Sequence, residues 1–213
     1  MKLKSEMVSS ILRIMLWALV TLTTLNLLAT IIYAVDTSFY MDSIYSINSF
    51  INSLSTVLYI LIIVIYLIWI YRVHMDLVVI FPSYPRSSGS ALACSMIPIY
   101  SFYGLPSTYL MIGEHFQNEN TGAQKQGRWI SGLAVPMIIS LILINLLNRL
   151  VTNSDGDANV SLLLVSNVAE LSTHIMFLSL CIFVAKGLQL IHFNSQIPKS
   201  TYDINPEWVS VIR

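Results

Sequence analysis

Four stretches of this sequence, Ile14–Val35, Phe50–Tyr71, Trp129–Leu147 and Val160–Ala185, are almost continuously apolar. Each runs for about 20 residues, which is what a helix needs to cross a hydrocarbon core about 30 Å thick. Inside such a core no water satisfies the backbone, so each stretch must be a helix whose N–H and C=O groups bond within the segment. Composition agrees. The chain is 55% apolar and 10% charged, where a soluble domain carries roughly 25% charged residues. Its net charge is zero, which gives no global field for nucleic acid.

Charge sets the expected orientation. The first stretch follows Lys2, Lys4 and Arg13, and its apolar run is too long for a cleaved signal, so it reads as a retained signal-anchor helix. With four spans and the N-terminus inside, the cytoplasm holds Lys2, Lys4, Arg13, Arg72, Arg86, Lys125, Arg128, Lys186, Lys199 and Arg213. Only Arg149 lies outside, a division of ten to one. A fifth stretch, Ser90–Ile112, is long enough to cross but contains Pro98, Gly104 and Pro106; were it to span, the division would fall to six to five. The positive-inside rule therefore favours four spans. Trp17, Trp69 and Trp129 each stand near a basic residue (Arg13, Arg72, Arg128) at a cytoplasmic end, and all three are expected to be interfacial anchors.

The expected fold is an all-α membrane protein forming one domain over residues 1–213. Its four transmembrane helices make two hairpins. The second pair is joined at Thr152–Asn159, whose Asn-Ser-Asp-Gly-Asp run is a turn signal. The hairpins are linked by a cytoplasmic connection, residues 72–128. The helix before it should run to about Phe81, where Pro82 and Pro85 stop it. Within the connection, residues 90–112 read as a re-entrant or interfacial element. A short helix breaks at Pro98, and a second, amphipathic one starts with Pro106 as its first residue and ends before Gly122. Cys94 and Cys181 read as small packed side chains rather than a disulfide.

The connection carries Trp69-Ile-Tyr-Arg72, His74, Asp76-Leu77, Ile97-Pro98-Ile99-Tyr100, Pro106 with Tyr109, and Glu114. In this it resembles an uncharacterised family of bacterial multi-pass membrane proteins, a domain-of-unknown-function family. That family's pattern has Trp-x-x-Arg at a helix end, His/Asn-Leu, Ile-Pro, a Pro-aromatic motif and a Glu. Asp76 stands where the pattern has Asn. The resemblance covers Ile60 to about Trp129 and implies a bacterial plasma-membrane protein without an assigned activity.

Two groups of residues are candidates for function. Glu170 lies ten residues into the last stretch, about 15 Å from its outer end. An ionisable group at that depth is costly and is a functional candidate by default. Counted from the outer ends, Asn26 and Tyr59 lie at nearly the same depth, and His174 is one turn further in. This polar cluster is read either as a hydrogen-bonded seam holding the helices, with Glu170 protonated by desolvation, or as a solute or proton pathway. The second group, Arg72, His74, Pro98, Pro106 and Glu114, is a candidate cytoplasmic interface for a protein partner, a second copy or lipid headgroups. His74, Asp76, Glu114 and His115 lack a zinc spacing. There is no HExxH, G-x-S-x-G or P-loop sequence, and one membrane acid cannot supply an aspartyl protease pair. No catalytic residue, cofactor or metal site is assigned. The leading expectation is a non-enzymatic scaffold, docking or regulatory component of the plasma membrane. The alternative is a small transporter or channel subunit using the Glu170 cluster.

The charge division makes a direct prediction. Reporter fusions after Asn120 and after Arg213 should both report the cytoplasm, and an external signal at either position would rule out four spans with both termini inside.

Overall fold

A computed structural model of the protein describes residues 3–118, 122–153 and 160–196. The described chain is helical: α1 (Glu6–Val35), a single turn α2 (Thr37–Phe39) continued by a π-helical turn (Tyr40–Ile44), α3 (Tyr45–Ile80), α4 (Ser88–Met96), α5 (Pro98–Asn118), α6 (Gln124–Asn153) and α7 (Val160–Gln196). The four apolar stretches fall within α1, α3, α6 and α7, and these segments are long and apolar enough to cross a membrane. Each reaches beyond its apolar stretch at one end or both. With 36 residues, α3 is about 54 Å long. Hydropathy marks only the part that suits hydrocarbon, whereas hydrogen bonding propagates a helix into its polar flanks. The turn expected at Thr152–Asn159 lies outside the described residues from 154 onward.

Proline sets the boundaries of the connection. Phe81 precedes Pro82 and is extended (φ −118°, ψ 95°), ending α3 as pre-proline sterics require. Ile97 precedes Pro98 and is also extended, separating α4 from α5. The expected break at Pro98 is therefore present, but Pro98 itself opens the second helix, and Pro106 lies inside it. This corrects the expectation that Pro106 begins the helix. A proline inside a helix removes one N–H and crowds the preceding turn. Here Arg86 reaches in from the α3–α4 loop, donating to the Gly104 carbonyl (3.3 Å), to Ser107 Oγ (3.0 Å) and to Thr108 Oγ1. These bonds hold the turn around Pro106. Although α5 is continuous through Pro106, it is not among the helices apolar enough to span.

The helices are arranged as a ring. α1 packs on α3 and α7; α7 packs on α6, α6 on α5, α5 on α4 and α4 on α3. α3 and α6 share no substantial interface. The short helices bridge them, and the core gathers at that end. It holds Trp69, Ile70, Val73 and Leu77 of α3, Tyr109, Ile112 and Phe116 of α5, Ile130 and Met137 of α6, and Leu180 and Val184 of α7, all no more than 1% exposed. α5 meets α6 almost backbone to backbone: a Cβ on Gly113 would lie 2.8 Å from the Gly127 carbonyl oxygen. Only glycine permits that approach. Away from this end, polar bonds also join the helices. Asn167 donates to Thr30 (2.7 Å), Ser166 donates to Asn148 (3.0 Å), and Ser140 bonds Thr173.

One face of α3 secures the start of α1. The first N–H groups of a helix have no partners inside it, and Ser5 makes no side-chain cap. The buried Asp76 carboxylate supplies the acceptors, taking the N–H of Lys4 (3.1 Å) and of Ser5 (2.9 Å). Arg72 donates to the Lys4 carbonyl (3.3 Å), and Trp69 donates its indole N–H to Ser9 Oγ (2.8 Å). Trp69 is 1% exposed, so it is a core residue, unlike Trp17 and Trp129, which are exposed. Spacing to a basic neighbour does not reveal which face of a helix a tryptophan occupies.

Asp76→Ala would strand the buried Ser5 N–H and the partly buried Lys4 N–H, a loss of about 1–3 kcal/mol, and should lower the thermal unfolding midpoint in detergent clearly. Asp76→Asn keeps an acceptor and should fall between. An unchanged midpoint for Asp76→Ala would show that this clamp contributes nothing.

Candidate functional site

Because α3 and α6 stay apart beyond the wedge of α4 and α5, a cleft of about 640 Å³ lies between them. Its back is formed by α1 (Leu12, Leu16, Leu19) and α7, its sides by Tyr59–Leu67 of α3 and Leu141–Asn148 of α6, and its floor by Ser95, Met96 and Leu105. Most of this lining is aliphatic. Against it stand Glu170, Thr173, His174, Tyr59, Tyr66, Asn145 and Asn148.

The structure thus brings three members of the expected polar cluster, Glu170, His174 and Tyr59, to one cleft. Glu170 and His174 project from the same face of α7, four residues apart, and the Tyr59 ring centroid is 6.3 Å from that of His174. Asn26 is not with them. Its amide faces Asn167 (3.5 Å), which donates to Thr30. Equal depth does not imply the same helix face, and Asn26 and Asn167 belong to the seam between α1 and α7.

His174 is held by α1. Thr23 Oγ1 lies 2.8 Å from the Leu19 carbonyl and 3.0 Å from His174 Nδ1. The Thr23 hydroxyl thus sits between the Leu19 carbonyl and the His174 ring, and whether it donates to Nδ1 or accepts from Nδ1–H follows the tautomer of the ring. Glu170 is half-buried and forms no hydrogen bond or ion pair with any described residue. Its expected bonds to Asn26 and Tyr59 are absent among the described residues. The carboxyl lines open space rather than tying helices together.

Sequence reasoning missed the contribution of α6. Leu141, Asn145 and Asn148 share a face at helical spacing, and that periodicity was available to find them. Tyr66 and Tyr109 were harder to see, since their hydroxyls meet at 3.0 Å only because α5 folds back against α3.

Of the expected cytoplasmic interface, His74 is buried and Glu114 exposed, with Arg72 and Pro106 half-buried. His74 is 0% exposed; Nδ1–H donates to the Ile70 carbonyl (2.8 Å) and Nε2 accepts from the Tyr84 hydroxyl (3.2 Å). Burial holds the Tyr84 phenol well above its ordinary range, so it remains a donor. Arg72 is committed to Lys4, and Pro106 is half-buried within α5. Glu114 is exposed. The side chain of Pro98 lies outside the described residues. His115 stacks edge-on against Tyr84, with ring centroids 4.9 Å apart, and Asp76 is occupied with the start of α1.

No protein-family model, curated protein or solved structure matches this chain.

Proposed function

We propose that the protein is a small transporter, or the membrane subunit of one, that takes an amphipathic solute into the cleft between α3 and α6. The observation that carries this reading is Glu170, a carboxyl inside a largely aliphatic cleft that no described side chain hydrogen-bonds or pairs with. An intramembrane acid serving only to join helices would be bonded to them, as Asn167 and Ser166 are. The scaffold or docking role is less well supported, because His74 is buried with both ring nitrogens bonded inside the fold. A floor of packed helices favours a carrier over an open channel.

The charge division supplies the orientation for this reading, four spans in two hairpins with both termini cytoplasmic, and the family resemblance supplies a bacterial plasma membrane. α4 and α5 then form the non-crossing element at the cytoplasmic side, and the cleft opens toward the bilayer above them. Deep clefts between helices, with few polar groups among many apolar ones, are where small molecules bind.

Two experiments test the reading. A neutral apolar fluorophore such as N-phenyl-1-naphthylamine should bind the purified protein saturably in nanodiscs. Ile63→Trp, which fills the cleft from α3, should weaken that binding about tenfold, a change of about 1.4 kcal/mol. Binding that is absent, or unaffected by Ile63→Trp, would sink the cleft reading. Separately, Glu170→Ala should change stability by no more than about 0.5 kcal/mol, as substitutions outside bonded networks do. A large drop in the unfolding midpoint would return Glu170 to a structural role.

A further inference from the structure

Resting on the cleft reading above, we infer that the solute is an amphipathic organic cation, held by Glu170 and by the aromatic rings beside it. Glu170 is the only formally charged side chain among the described residues lining the cleft; no lysine or arginine is among them. Beside it, the amide of Asn145 commits its NH2 to the Leu141 carbonyl and leaves its oxygen, an acceptor, to the cleft. An anion would meet a carboxylate and lone pairs with no cation to offset them, and a neutral apolar molecule would leave the carboxyl unanswered.

Aromatic faces complete the fit. Tyr59, Tyr66 and Phe177 line the same cleft, and the Tyr66 and Phe177 rings meet edge to face with centroids 5.8 Å apart. Ring faces attract a cation, and do so more strongly where water is scarce. The aliphatic remainder of the lining takes the apolar body of the solute. Any proton that Glu170 carries in the empty cleft leaves to bulk water when the cation takes its place, so charge is balanced without a second protein group.

The test uses two ions of the same shape and opposite charge, tetraphenylphosphonium and tetraphenylborate, with the full-length protein in phosphatidylcholine nanodiscs. Nonspecific partition is subtracted with Ile63→Trp. Tetraphenylphosphonium should bind at least about tenfold more tightly than tetraphenylborate. Glu170→Gln should remove most of that preference while leaving the unfolding midpoint unchanged, and Glu170→Asp should retain it. Equal binding of the two ions, or a preference that survives Glu170→Gln, would overturn the cation inference; saturable binding of the neutral naphthylamine would then leave the cleft reading standing. If neither ion nor the naphthylamine binds saturably, both readings fall.

Discussion

The architecture depends on the crossing of α5 over α6, where Gly113 and Gly127 let two backbones nearly touch. That contact seats α5 deeply enough for Tyr109, Ile112 and Phe116 to disappear into the bundle. With α4 beside it, α5 stands between α3 and α6 and keeps them from meeting. A closed four-helix bundle would have buried the polar face of α7. The wedge instead leaves the cleft, and it leaves Glu170 without a partner among the described residues. Packing at one end and the opening beyond it have the same cause.

The two ends also differ in what holds them. The wedged end relies on apolar burial, reinforced by satisfied polar groups at its margin: Asp76 on the start of α1, the Trp69 indole on Ser9, and His74 between Ile70 and Tyr84. Beyond it, helices are joined by bonds such as those of Asn167 with Thr30 and Ser166 with Asn148. In hydrocarbon, contacts of that kind are worth about 0.6–2 kcal/mol each. A carrier needs one part that stays together and another that can yield. This division suits the proposed role.

The Trp69-Ile-Tyr-Arg72 segment with Asp76 has a physical explanation independent of any resemblance. Spaced by three and four residues, these side chains form one stripe along α3, and that stripe grips the first turns of α1. An aspartate suits its position because a carboxylate only accepts, and two backbone donors converge on it. The sequence showed the stripe but not its partner, since the partners in residues 4–9 lie 60 to 72 positions away in the chain.

The sequence by itself determined the helical class, the four segments able to cross a membrane, the end of α3 at Pro82 and the break at Pro98. These follow from local causes: hydrocarbon forbids an unsatisfied backbone, and proline disfavours a helical conformation in the residue before it. It also singled out Glu170, His174 and Tyr59, because a charge or hydrogen-bonding group in an apolar run carries a cost legible in one dimension. The tertiary structure decided which of them share a space. Asn26 has the right depth and the wrong face, Trp69 is core where its neighbours suggested an anchor, and Pro106 sits within a helix because Arg86 braces that turn. Depth along a helix is set by residue count, whereas facing is set by which neighbour the helix packs against.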